Sequence, residues 1–167
     1  ICSTGIIGHQ LPMPKLNTGV AKAAGRLSAS AAGAARFSKA ILTTDLRAKT
    51  ASATVKLSGG PVTIFGCAKG SGMIAPNMAT MLAFILTDAN ISAGLLRRAF
   101  RDVVGQTFNK VSVDSHMSTS DTALILASGR ASNPPLQHNN KNLELFQAGL
   151  AKVCDSLARQ IAADGEG

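Results

Sequence analysis

A chain of 167 residues suits one domain, or one piece of a larger one. It is 46% hydrophobic but only 4% aromatic, with no Trp or Tyr, so its core must be built from Ala, Leu, Ile, Val and Met. The net charge of +8 would suit an anionic partner. The basic residues are scattered, however, and no aromatic side chains interleave with them to stack on bases, which argues against a nucleic-acid module.

Two other classes are also disfavoured. Cys2, Cys67 and Cys154 form neither a CxxC nor a metal-ligand spacing. So sparse and odd a set reads as reduced thiols in a cytoplasmic protein, with no metal. The longest apolar run, Met81 to Leu86, is too short to span a membrane, and no signal peptide is read. The chain opens on Ile1 and closes on "ADGEG", and both ends are expected to be cuts within a longer protein.

In chain order, Met13, Leu16, Val20, Ala23 and Leu27 recur at three- and four-residue steps and predict an amphipathic helix. Ala31 to Phe37 reads as a short Ala-rich helix, and Ala40 to Thr44 as a strand end or loop. Thr50 to Leu57 alternates like a half-buried strand, Gly59-Gly60 marks a tight turn, and Val62 to Ala68 returns. A loop runs from Lys69 to Ala79, then Thr80 to Thr87 is continuously apolar and predicts a buried central strand. Ser92 is placed to cap a helix carrying Leu96, Ala99, Phe100, Val103 and Val104 on one face, with Arg97, Arg98 and Arg101 as its solvated side. Lys110 to Val113 and Thr122 to Ser128 read as strands around "DSHMSTSD", and Gly129 to Asn140 as a loop. Leu143, Phe146, Leu150, Val153, Leu157 and Ile161 define a long final helix. Helices packed on the faces of mostly antiparallel sheets follow from this order.

Few residues suggest chemistry by type alone. "GCAKGSG" is not a phosphate loop, because Lys69 precedes the glycine pair and a strand follows. His9, His116 and His138 read as exposed loop residues. Asp114 and Asp121 fit turn chemistry as well as a carboxylate pair. Thr80 is different, since a threonine hydroxyl becomes a useful nucleophile once a base takes its proton. Cutting the chain before it would free an α-amine of ordinary pKa about 7.7–8.0 within reach of that hydroxyl. Ala79, just before it, is small enough for self-cleavage. By residue type alone, Thr80 also fits a residue that merely opens a strand.

The segment "AKGSGMIAPNMATML", from Ala68 to Leu82, closely resembles the self-cleavage segment of the ornithine acetyltransferase, or glutamate N-acetyltransferase (ArgJ), family. Further stretches match in order along essentially the whole chain: "CSTGIIG", "LPM", "TTD", "TDA", "TFNKVSVD", "TSDT" and "DGEG". The resemblance implies an α+β fold, a layered α/β/β/α sandwich of the self-processing N-terminal-nucleophile type, incomplete in this chain. It implies cutting between Ala79 and Thr80, so that residues 1–79 end an α chain and 80–167 begin a β chain, assembled as an α2β2 heterotetramer. Thr80 would take acetyl from N-acetylornithine and pass it to glutamate in arginine biosynthesis, with acetyl-CoA as a further donor in some members and no other cofactor. Thr4 and Gly5 match the family's oxyanion hole. Thr43, Lys69, Thr80 and Glu166 match substrate-binding positions, a Lys suiting the α-carboxylate and a Glu an amino group.

The chain departs from the family at Ser115-His116-Met117, where Gly-Asp-Thr is usual, and at Ser120, where Asn is usual. The family's N-terminal stretch, and a C-terminal part that supplies an Asn and a Thr to substrate, are not in it. An amidase or aminopeptidase of the related self-cleaving fold, in which water resolves the acyl-enzyme, and an inactive paralogue are the competing readings.

Overall fold

The fold was established from a computed structural model, which describes residues 1–6, 8–72, 81–112 and 118–165. Ile7, Ala79 and Thr80, the segment from Val113 to Met117, and Glu166 lie outside the described residues. The elements run α1 (Met13–Ala24), α2 (Ala31–Ala40), β1 (Lys49–Leu57), β2 (Gly60–Lys69), β3 (Leu82–Thr87), α3 (Ala93–Gln106), β4 (Thr122–Ala127) and α4 (Lys141–Ala162). The four strands form one sheet in chain order.

The β1–β2 hairpin closes with Leu57 opposite Gly60. Gly59 holds φ +87°, and a Cβ there would come within 2.5 Å of the Ser132 carbonyl, so both conformation and space demand glycine. β2 and β3 are also antiparallel, whereas β3 and β4 are parallel. A parallel pair needs a crossover, and α3 supplies it.

Strand alternation divides the sheet into two unlike faces. Val62 and Ile64 of β2, Ala83 and Ile85 of β3, and the inward alanines of β1 lie in the core with α3 and α4. The long final helix is built as its periodicity predicts, and all six of its named apolar positions are buried. It lies close on the sheet because glycines make room. A Cβ on Gly66 would fall 2.8 Å from Leu157, and one on Gly149 would fall 2.3 Å from Val55. Each fully buried Leu or Phe on this face contributes about 1.5–3 kcal/mol. Ser92 caps α3, its Oγ accepting from the Leu95 N–H at 3.4 Å, and Arg97, Arg98 and Arg101 are exposed.

The other face is largely open. Leu86, Leu124 and Leu126 are exposed on it. Phe84 is half-buried, meeting Phe37 of α2 edge-on at 5.1 Å between ring centroids. The central strand expected to be buried is therefore central in the sheet but covered on one face only. The apolar stripe of α1 likewise buries no residue. This is the expected α+β class: one four-stranded sheet with α3 and α4 layered on one face.

A second correction concerns Lys110 to Val113, read as a strand. Phe108–Lys110 is a 3₁₀ turn, and residues 111 and 112 form no strand. Phe108 is buried beside α3, and this anchor turns the chain tightly where the apolar alternation suggested extension.

Candidate active site

Four of the polar residues that the fold buries, Lys49, Lys69, Ser71 and Asp164, gather at one end of the sheet, where β2 finishes and β3 and β4 start. Lys69, Leu82 and Thr122 stand abreast across these three strands. Lys49, at the head of β1, pairs with Ala68. Lys49 therefore shares the helix-covered face with Ala68, and Lys69, one residue on, takes the opposite face.

On the covered face, Lys49 is fully buried between two carboxylates. Its Nζ donates to Asp45 Oδ1 at 2.6 Å and to Asp164 Oδ2. Asp164 follows α4 and also accepts from the Leu46 N–H at 3.2 Å. Asp45 accepts from the Gly70 N–H at 2.6 Å and the Thr43 N–H at 3.3 Å. Burial alone would raise the Asp45 carboxyl. The Gly70 and Lys49 hydrogen bonds, then the Thr43 N–H and the Lys49 charge, more than offset that and hold it below the usual carboxylate value. This knot ties the 43–46 loop to the end of β2 and to the end of the last helix. Gly70 holds φ +150°, which lets the chain turn out of β2 directly after Lys69.

On the other face, Lys69 is only 2% exposed. It is the last residue of β2, not a loop lysine as expected, and it is not solvated. Among the described residues its Nζ has one hydrogen-bond partner, the Thr43 hydroxyl at 3.1 Å, and no ion pair. An ammonium carries three donors, and the described residues engage one of them. Burial lowers the Lys69 pKa, as does the Lys49 charge, against the opposing pull of Asp45 and Asp121. Nearby, Thr44 Oγ1 and Ser71 Oγ lie 2.7 Å apart.

Asp121 completes this end of the sheet. Its Oδ1 accepts from the Met81 N–H at 2.5 Å. Its Oδ2 is buried and has no hydrogen-bond partner among the described residues. Burial pushes the carboxyl up to about 6, with the Met81 N–H and the Lys69 charge pulling the other way.

Thr43 and Lys69, matched separately to substrate positions, are thus in contact. Thr4 and Gly5 are not joined to them by any hydrogen bond among the described residues. The Gly5 N–H turns locally onto Ser3 Oγ at 3.2 Å. Thr80 and Ala79 lie just before the described residue Met81, and Glu166 two residues beyond Asp164. Lys49 and Asp164 were not singled out in the sequence as site residues, and Asp121 was weighed there only as a turn residue or as one of a carboxylate pair with Asp114. A signal did exist for Lys49: it falls in phase with the inward residues Ala51, Ala53, Val55 and Leu57, where a lysine is anomalous.

The remaining candidates are remote from chemistry. Burial raises the Cys67 and Cys154 thiols to about 11 and about 12, leaving them protonated and inert. His9 and His138 are exposed, and a ring nitrogen of His138 contacts Arg98. Among the described residues no three His, Cys, Asp or Glu side chains group as metal ligands, and no helix is long and apolar enough to cross a membrane.

Comparison with known proteins bears on this end of the sheet as on the rest of the chain. The model of the ArgJ family matches residues 1–167. The arginine biosynthesis bifunctional protein ArgJ of Lactococcus lactis is 51% identical over the whole chain, which covers 41% of that protein. The proteins of the same name from Caldanaerobacter subterraneus and Geobacillus kaustophilus are each 47% identical over the whole chain, which covers 41% and 40% of them. The chain thus spans about two fifths of the length of these relatives. Among solved structures, that of ArgJ from Bacillus halodurans matches 50% of this chain and 39% of that one at 42% identity, with a TM-score of 0.49.

Proposed function

Because the chain belongs to the ArgJ family, we propose that it is the self-cutting part of an acetyl-transferring enzyme of arginine biosynthesis. The chain is cut between Ala79 and Thr80, and the freed Thr80 carries acetyl from N-acetylornithine to glutamate. The observation that carries this reading is Lys69, a buried ammonium that among the described residues commits one of its three donors, at the sheet end where the chain enters β3.

Each step follows from ordinary chemistry. The substrate α-carboxylate binds the free donors of Lys69, helped by the Thr43 hydroxyl; a buried charge-assisted pair of this kind is stronger than a neutral hydrogen bond. The Thr80 amine accepts the proton of its own hydroxyl as the oxygen attacks the acetyl carbonyl. Donors from Thr4 and Gly5 stabilise the developing oxyanion. Ornithine leaves, and glutamate's amine takes the acetyl group from Thr80. Glu166 holds a substrate amino group, and acetyl-CoA is a second donor to be tested. The whole protein works as an α2β2 assembly in the cytoplasm.

The test is acetyl transfer by the full-length protein. Wild type should form N-acetylglutamate from N-acetylornithine and glutamate, and Thr80→Ala should neither cut nor transfer. Transfer by the Thr80→Ala protein would remove Thr80 as nucleophile. Release of free acetate at the same rate with and without glutamate would instead identify a hydrolase.

A further inference from the structure

We infer that Asp121 is a positioning residue for the proposed nucleophile: its Oδ1 holds the peptide N–H that follows Thr80, and its Oδ2 receives the α-ammonium that the cut leaves on Thr80. The inference rests on the self-processing reading above. Asp121 immediately precedes β4, whose first residue stands beside Leu82 of β3. Its Oδ1 is committed to the Met81 N–H at 2.5 Å. Its Oδ2 is buried and has no partner among the described residues, a condition rare in folded proteins.

Covalent geometry indicates which donor can relieve it. The nitrogens of Thr80 and Met81 are separated by one Cα and one carbonyl carbon, so they lie within about 3.7 Å of each other in any conformation. A carboxylate that holds the second nitrogen with one oxygen can bring its other oxygen to the first. In the uncut chain that first nitrogen is an amide with a single N–H fixed in the peptide plane. After the cut it is an ammonium with three donors and a charge opposite to that of Asp121.

Among the described residues the charged group that acts on Asp121 is Lys69 at the end of β2; Asp45, in the loop before β1, and Lys49, at its head, act on Lys69 in turn, and Lys49 is bound to Asp45 and to Asp164 after α4. Lys49 and its two carboxylates are bound to one another, while Lys69 favours the ionised form of Asp121. Asp121 is therefore an anion at the pH where an α-amine titrates, and it raises the pKa of that amine above the ordinary 7.7–8.0 or so. Asp121 itself gains and loses no proton during transfer. The neutral amine takes the hydroxyl proton, and Asp121 orients it.

The test is the pH profile of kcat/KM for acetyl transfer by the full-length protein and its Asp121→Asn variant. Asn keeps an oxygen for the Met81 N–H and removes only the charge. The amine must be neutral to act as base, so activity rises with pH through its pKa. In Asp121→Asn the acidic limb should move to lower pH by about one unit. A purely structural role would lower activity without moving that limb. A wild type cut at Thr80 with an unmoved limb in Asp121→Asn overturns the inference and leaves the self-processing reading standing. An uncut wild type overturns both. Should Asp121→Asn not fold, the wild-type amine is titrated directly, from the pH dependence of its acylation by an amine-selective reagent read on the Thr80 fragment. A pKa above the ordinary range supports the inference, and one at or below it overturns it.

Discussion

Two buried lysines stand one step out of register at the same end of the sheet, and the fold treats them in opposite ways. Lys49 faces the helix layer and is held by two buried carboxylates that also bind backbone N–H groups. Lys69 faces the open side and has a single neutral hydroxyl among the described residues. Both are almost fully buried, so burial alone does not distinguish a structural charge from a functional one. The number of satisfied donors does. A charge wholly paired within the protein fastens the fold, and one left partly unpaired is poised for something from outside.

The largest expected effect comes from breaking the paired cluster. Lys49→Met leaves Asp45 and Asp164 buried without their cation and should cost about 3–5 kcal/mol, read from the urea midpoint of the full-length protein. Lys69→Met should divide the other way. It removes a buried charge with no paired carboxylate, so stability should change by less than about 1 kcal/mol, while kcat/KM for acetyl transfer falls about 10–100-fold. If Lys69→Met unfolded the protein and Lys49→Met mainly impaired turnover, the comparison would be inverted.

Acidity sharpens the same contrast through two aspartates of opposite sign. The Asp45 carboxyl is held below its ordinary value, so its contribution is present at neutral pH and lost as the pH falls through its folded-state pKa. Asp45→Asn should therefore cost more at pH 7 than at pH 3. Asp121 is raised to about 6, so between its ordinary value and that pH the folded protein binds more protons than the unfolded chain. Stability falls there as pH rises. In the uncut Thr80→Ala protein, which lacks the α-ammonium, Asp121→Asn should thus be near neutral at pH 4 and stabilising above pH 6, by up to about 2 kcal/mol after allowance for solvent screening. Urea unfolding at pH 4 and pH 7.5 checks the sign of both. The smallest effect is expected for Thr43→Val, which removes the one hydroxyl on Lys69 and should lower kcat/KM about 2–10-fold.

Much of the fold was legible because burial on the covered face is regular. The 143–161 stripe, the 51–57 alternation and the Ser92 cap each carry a period or a capping residue that tertiary structure left undisturbed. The failures have one cause, which is that a local pattern does not say what lies across from it. The apolar run of β3 reads as doubly buried, yet Leu86 is exposed because α2 reaches only Phe84 on that face and no other described element covers Leu86. The 110–113 alternation reads as a strand, yet Phe108 is drawn into the core and turns the chain. At the site, Lys69 and Thr43 were found through their motifs. Asp121 read as a turn residue or as a partner of Asp114, because the group it binds, the Met81 N–H, is 40 positions away.

The central claim, that Thr80 becomes a chain terminus and carries the acetyl group, is tested most directly by the intact mass of the full-length protein after incubation with N-acetylornithine. The expected result is two fragments, the C-terminal one beginning at Thr80 and heavier by one acetyl group, which disappears when glutamate is added. A single uncut chain, or a fragment that begins elsewhere or takes up no acetyl group, would contradict the account.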